Sequence, residues 1–153
     1  MRTHIASMNE VRDWVSQSKS ETVDYMFASH ILLWCDEAVV AKRAGRIVGL
    51  ALISPGYWER RDPEIAALYV EPEFRSRGLG TKLVRDAVRR CLKRGLVPVL
   101  VQLRSARSRS IVEALPEKLL RAVEALDLVE GEDYDEMAER EEAEIGLQMV
   151  VGV

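Results

Sequence analysis

The chain has 153 residues, 48% of them apolar, with 22 Lys+Arg against 25 Asp+Glu and a formal net charge of −3. One domain burying roughly two thirds of its unfolded surface is the expectation at this length. No apolar run approaches the ~20 residues of a membrane-spanning helix, and the chain as a whole lacks the basic excess of a general nucleic-acid binder.

In chain order, residues 1–35 read as helical. Met8, Val11 and Val15, then Tyr25, Met26, Ala28, Ile31 and Leu32, recur at helical spacing around a polar break, SQSKSE. Two β-branched runs, 38–42 and 47–53, flank Arg43-Ala44-Gly45-Arg46 and predict a hairpin that Ser54-Pro55-Gly56 ends. Glu64 to Val70 predicts a buried strand stopped by Pro72. From Gly80 to Arg94, Leu83, Val84, Ala87, Val88, Cys91 and Leu92 form the apolar stripe of an amphipathic helix, with Lys82, Arg85, Arg89 and Lys93 opposite and Gly95 as its stop. Residues 98–103 predict a strand, and Ser110 with Glu113 predicts a capping-box helix start. Helix then runs to about Leu128, broken at Pro116. An acidic stretch covers 130–144, and residues 146–153 predict a closing strand. The order makes a mixed α/β single domain.

Charge is segregated along this order. Residues 75–109 carry 11 basic side chains against one acid, Asp86, while residues 110–153 carry 3 basic against 13 acidic. Such a layout offers a local anion site and a separate cation-attracting surface. Cys35 and Cys91 are too few for a disulfide framework and have no metal-ligand spacing, and His4 and His30 are isolated, so no metal site is expected. Cys91 falls on an apolar helix face, as a buried inert thiol would. The start, MRTHIASMNEVRDW, lacks the pattern of a signal peptide, so a cytoplasmic location is expected. One Asn, three Gln and 17 Arg against 5 Lys are compatible with a thermophilic source.

Chemistry concentrates in the strand–loop–helix from Glu64 to Arg94. Arg75-Ser76-Arg77-Gly78-Leu79-Gly80 leads straight into the helix. A helix start presents unpaired N–H groups and a positive dipole end, a ready phosphate site. Glycines at 78 and 80 let backbone approach a diphosphate, and Arg75, Arg77 and Lys82 add charge. The pattern is neither G-x-G-x-x-G nor a Walker loop.

Residues 68–80, LYVEPEFRSRGLG, resemble motif A of the GNAT N-acetyltransferase superfamily, with its signature [RQ]-x-x-G-x-[GA]. The hairpin before it and the strand PVLVQL after it also resemble the family in order, over a motif-bearing core of 36–103 within one domain, 1–153. The resemblance implies a mixed, V-shaped sheet flanked by helices, splayed between the fourth and fifth strands, and acetyl-CoA as co-substrate. By similarity, backbone groups of Leu68, Tyr69 and Val70 face the pantetheine arm, with an N–H near Val70 polarising the thioester carbonyl. The N–H groups of Arg75, Ser76, Arg77, Gly78, Leu79, Gly80 and Thr81 hold the pyrophosphate. Glu64 sits at the offset of the catalytic glutamate of the histone acetyltransferase branch, a general base often acting through water; the alternative is a strand-initiating carboxylate facing solvent. The family's usual acid is a tyrosine on the helix after the fifth strand. Aligning residues 123–128 on its pattern puts Val123 at that tyrosine, and a register through Ser108, Ile111 and Ala114 lacks one too. Tyr134 is near enough in sequence to substitute.

Arg104, Arg107 and Arg109 are open to the 3′-phosphate of CoA, an anionic acceptor, RNA, or solvent. The acidic stretch is a solvated segment or an attractor of a cationic amine. Trp34, Tyr57 and Trp58 are candidates for an acceptor cleft or for packing. The expectation is acetyl transfer to a primary amine, on a small molecule or a protein lysine or N-terminus, by direct attack in a ternary complex. A catalytically weak acyl-CoA-binding sensor is the alternative. A homodimer through terminal strands is compatible with the domain's size, and neither membrane nor nucleic acid is an expected partner.

Overall fold

The computed structural model describes residues 1–18, 23, 30–56, 63–97, 99–103, 106–127 and 151–152. Strand β1 (Thr3–Ser7) leads into helix α1 (Met8–Gln17), followed by α2 (His30–Trp34), β2 (Glu37–Arg43), β3 (Arg46–Ser54) and β4 (Glu64–Val70). A 3₁₀ turn (Pro72–Phe74) precedes α3 (Leu79–Lys93). Then come β5 (Val99–Leu103), α4 (Ala106–Glu113), α5 (Glu117–Leu120), β6 (Val123–Asp127) and β7 (Val151–Gly152).

The strands form one mixed sheet, in the order β1-β2-β3-β4-β5-β6, with β7 also on β4. The first four are an antiparallel meander; β5 joins β4 in parallel and β6 joins β5 in parallel. The β2–β3 turn closes at Arg43 opposite Arg46, with φ of 50° at Ala44 and 78° at Gly45. Two left-handed residues match the twist of the strands that a two-residue hairpin joins. Strand β4 is buried along its whole length, because both faces of the sheet are covered. One core packs Val39, Ile53, Leu68 and Val70 under α3 and α4; the other packs Val40, Leu50, Leu52 and Tyr69 under α1.

Helix α3 follows its apolar stripe. Leu83, Val84, Ala87, Val88 and Cys91 are buried, while Arg89 and Lys93 are exposed. Gly95 ends it with φ +73°, its N–H bonded to Leu92 O at 3.0 Å and that of Leu96 to Cys91 O at 2.9 Å, the paired bonds of a Schellman stop. Arg90 and Arg94 leave the helix for Glu37 and Asp36 at the start of β2, at 2.8 and 2.7 Å. Part of the basic block therefore fastens α3 to the sheet.

Three expectations are corrected. Residues 3–7 are strand rather than helix: only Ala6 of this segment turns fully inward, and pairing with β2 outweighs the helical spacing that begins at Met8. Ser7 instead caps α1, its hydroxyl accepting from the Glu10 N–H at 3.3 Å. Ser110 lies inside α4, which already starts at Ala106, so it opens no capping box. Residues 123–127 form β6, where helix was expected, because parallel pairing along β5 from Val99–Val123 to Leu103–Asp127 captures the segment. The break at Pro116 holds. The acidic stretch 130–144 and most of the closing segment 146–153 lie outside the described residues; Val151 and Gly152 are strand.

Both cysteines are free and buried. Burial, then the charges of Glu64 and Asp36, push the Cys35 thiol from 9.0 up to about 12. Burial chiefly raises Cys91 to about 11. A raised thiol pKa favours the folded state in full below pH 9, and that contribution is lost as pH climbs toward the folded values. The denaturation midpoint is expected to fall above pH 9, and Cys35→Ala/Cys91→Ala to flatten that limb; an equally steep limb in the double variant would assign it to other groups.

Candidate functional site

Strand β4, the loop after it and the start of α3 follow one another directly in the chain and meet around two adjoining cavities. Glu71 N–H bonds Val48 O at 2.8 Å, and Val70 stands opposite Gly49. In an antiparallel ladder the bonded pairs alternate, so Tyr69 and Glu71 bond β3 while the N–H and C=O of Leu68 and Val70 point to the other edge. That edge is shared. β5 is registered with β4 at Glu64 opposite Leu100, and further along Leu68 and Tyr69 lie opposite Val151 and Gly152. Between Leu52–Ala67 and Ile53–Ile65 the register shifts, leaving Ala66 as an extra residue in β4. Such a bulge bends its strand, here beside the point where β4 leaves β5.

The loop adopts the backbone its glycine allows. Ser76 has φ of 62° and Gly78 of 79°, and Gly78 caps α3. The first intrahelical bond runs from Lys82 N–H to Gly78 O, 3.1 Å; the N–H groups of Leu79, Gly80 and Thr81 therefore have no acceptor within the helix. Val70, Phe74, Arg75, Ser76, Gly78, Gly80, Thr81 and Ile111 line a cavity of about 160 Å³. A neighbouring cleft of about 340 Å³, sharing Phe74 and Gly78, gathers Arg43, Arg77 and Lys82. Lys82 also donates to the Met1 carbonyl. Donors, a positive helix end and cations thus converge, as a diphosphate requires.

The structure brings Val70, Arg75, Ser76, Gly78, Gly80 and Thr81 to one cavity and Arg77 and Leu79 to the adjoining cleft, while Leu68 and Tyr69 precede Val70 in β4 without lining either. Tyr69 differs from its neighbours. Its ring turns to the α1 side, 5.8 Å from that of Trp14, and helps line a cleft of about 470 Å³ with Trp14, Gln17, Ser18, Arg46, Glu71 and Pro72. Trp14 and Glu71 are residues the sequence reading missed; only the helical spacing of Trp14 beside Val11 and Val15 signalled its inward face. Arg46 holds Glu71 through two bonds, of 3.2 and 3.0 Å. Trp34 is 47% exposed, while Tyr57 and Trp58 lie outside the described residues.

Glu64 is 9% exposed rather than solvated. Its charge reaches the Cys35 thiol. It stands six residues from Val70 in the same strand, roughly 20 Å at ~3.3 Å per residue. The alignment that placed the family's tyrosine pattern on 123–128 fails because that segment is strand. The helix after β5 is α4, and at the tyrosine place of the other register stands Leu115, buried just past its end. Tyr134 and Arg104 lie outside the described residues, and Arg107 and Arg109 lie on α4. Among the described residues no group of His, Cys, Asp and Glu could hold a metal ion, and no helix is long and apolar enough to cross a membrane.

The acetyltransferase (GNAT) family profile matches residues 8–119. No curated protein gives a significant match. Among solved structures, a predicted acetyltransferase from Clostridium acetobutylicum, crystallised with acetyl-CoA, is 16% identical with a TM-score of 0.49, covering 73% of this chain and 86% of its own. A ribosomal-protein-alanine N-acetyltransferase from Brucella melitensis is 15% identical, TM-score 0.49, with coverages of 92% and 90%. A GNAT family N-acetyltransferase from Escherichia coli, in complex with CoA, is 18% identical, TM-score 0.47, with coverages of 65% and 61%. The profile spans well over half the residues, including the hairpin, β4, the glycine loop and α3: the chain belongs to the acetyltransferase (GNAT) family.

Proposed function

We propose that this protein is an acetyl-CoA-dependent N-acetyltransferase, one domain over 1–153, that transfers acetyl to a primary amine by direct attack in a ternary complex. The observation that carries the reading is the left-handed Gly78 at the start of α3, where the N–H groups of Leu79, Gly80 and Thr81 have no acceptor within the helix and Gly78, Gly80 and Thr81 line a cavity with Val70. That arrangement fits an anionic diphosphate with an extended arm along β4. Residues 75–81 would hold the diphosphate, Leu68 and Val70 the arm, and an N–H near Val70 would polarise the thioester carbonyl. The amine would approach from the opposite side, through the cleft of Trp14, Tyr69 and Glu71, where aromatic faces suit a cation and the Glu71 carboxylate is shared with Arg46. Cys35 and Cys91, buried and held protonated, are poor nucleophiles, which favours direct transfer over an acyl-enzyme.

Glu64 is the proposed general base, and with roughly 20 Å of strand between it and Val70 it would need a chain of waters rather than the single bridging water of ordinary base catalysis. Glu64→Gln is expected to lower turnover about tenfold or more and to remove its limb from the pH–rate profile. Unchanged turnover and profile would move proton removal to the Glu71 end of the strand. The second reading, an acyl-CoA sensor with weak catalysis, draws on Leu115 standing where the family carries its acid. The leaving group is the CoA thiolate, which departs without an acid more readily than an alkoxide because its conjugate thiol has the lower pKa, and then takes its proton from solvent.

The test is thermal stabilisation by acetyl-CoA against equal ionic strength, followed by thiol release across polyamines, aminoglycosides, amino acids and basic peptides. Stabilisation with amine-dependent release supports the enzyme; stabilisation without release supports the sensor; no stabilisation rejects both. The same reading places the protein in the cytoplasm, and a homodimer would appear in light scattering.

A further inference from the structure

We propose that the side chain of Arg75 is a positioning group for the end of β4 rather than a cation for the diphosphate, an inference that rests on the acetyl-CoA reading above. Its Nε donates to the Val70 carbonyl at 2.8 Å, and its guanidinium carbon lies 5.7 Å from the centre of the Tyr69 ring. Both contacts are made by one half-buried side chain, reaching back five residues from the loop to the strand.

The consequence follows from the ladder. Val70 turns both backbone groups away from β3, so its carbonyl and its N–H share the edge where the acyl arm would lie. Arg75 takes up the carbonyl. The N–H, which the Tyr69–Gly152 register turns to β7, is then the one Val70 group that an incoming arm can take over by displacing that strand, and a donor suits a thioester carbonyl, which only accepts. The same guanidinium packs on Tyr69, whose ring meets Trp14 at the cleft on the far side of the sheet. Arg75 therefore holds two successive residues of β4, one facing each proposed substrate. A guanidinium laid on a ring with its Nε committed to a carbonyl is poorly free to follow a phosphate. Arg77 and Lys82, on the adjoining cleft, make no such contact with β4 among the bonds described.

Two substitutions separate the roles. Arg75→Lys keeps the positive charge but loses the Nε fork and the flat group over Tyr69. Arg75→Gln loses the charge but keeps an amide donor for the Val70 carbonyl. The readouts are acetyl-CoA affinity by calorimetry and the infrared band of bound acetyl-CoA isotope-labelled at its thioester carbonyl; neither needs the acceptor. The expected result is a downshifted carbonyl band in the wild type, retained in Arg75→Gln and lost in Arg75→Lys, with both affinities within about threefold of wild type. Far-ultraviolet circular dichroism checks that both variants fold. The proposal is overturned if Arg75→Lys keeps band and affinity while Arg75→Gln weakens binding about tenfold or more, the signature of a phosphate-binding cation. It is also overturned if wild-type protein binds acetyl-CoA with no downshift, an outcome that leaves the cofactor reading standing. Absence of any acetyl-CoA binding by the wild type would reject both together.

Discussion

Gly78→Val is expected to weaken acetyl-CoA binding about 100-fold, the equivalent of roughly 2.7 kcal/mol, while leaving the fold nearly as stable as before. Gly78 holds φ of 79° and ψ of 4° as the N-cap of α3. A β-branched residue is a genuine outlier there, and a left-handed backbone costs an L-residue about 1–2 kcal/mol. A Cβ built at Gly78 meets nothing within 4 Å, so the penalty is backbone strain alone. Valine relieves it by turning the loop, and the N–H groups of residues 79–81 then lose their common aim. The exposed loop supports little of the core, so the apo melting temperature is expected to move by only about 2–4 °C. Gly78→Asn is the control, because asparagine tolerates the left-handed region, and it should retain most of the affinity. Calorimetric titration checks both. Valine binding within a few-fold of wild type would mean that the loop's N–H groups do not carry the affinity.

Gly49→Val is expected to act on stability, lowering it by about 3 kcal/mol, in the upper range for overpacking a core. A Cβ at Gly49 would sit 3.0 Å from Leu83 Cδ1, 3.4 Å from Leu79 Cδ2 and 3.4 Å from the Tyr69 carbonyl. Leu83 is fully buried and Leu79 nearly so, so neither side chain has solvent to retreat into. Helix α3 must move off the sheet, or the sheet must bend. At about 2–4 °C per kcal/mol for a chain of this size, the melting temperature falls by roughly 6–12 °C. Gly49→Ala should cost about a third as much, since small shifts of two leucine ends accommodate one methyl. Displacing α3 also displaces the loop that starts it, so acetyl-CoA affinity should fall alongside stability in the valine variant. Differential scanning calorimetry decides it: a melting temperature within one or two degrees of wild type would show that α3 rides loosely on β3.

These two glycines also show how much could be read from the residues beforehand. Gly78 announced itself, because its companions on either side form a motif and a helix follows. Gly49 did not: within a β-branched run it looks like an indifferent strand position, and only the packed helix reveals what it accommodates. The central elements, from the hairpin through α3 to β5, were legible because each has one dominant local signal, such as a glycine turn, a proline stop or an amphipathic stripe. The ends were less so. Residues 3–7 and 123–127 become strands through partners distant in sequence, β2 and β5, and no local periodicity encodes a distant edge. For the same reason the candidate loop was found by motif, whereas the cleft of Trp14, Tyr69 and Glu71 was not. Its walls come from α1, β3 and β4, and only folding makes them neighbours.

The pairing of Val151 and Gly152 with β4 bears on how a ligand's affinity would be distributed along its length. One edge of a strand accommodates one partner at a time, and Leu68 and Tyr69 already face a neighbour there. A ligand that lies along this stretch exchanges one set of backbone hydrogen bonds for another, and the net gain per bond is small. At the start of α3 the helix supplies no acceptor for the first N–H groups, so a bond made there replaces water alone, and a charged partner roughly doubles its strength. Binding strength would then be concentrated at the anionic end of the ligand. Its uncharged arm would add chiefly orientation, and the two halves of one molecule would answer to different mutations.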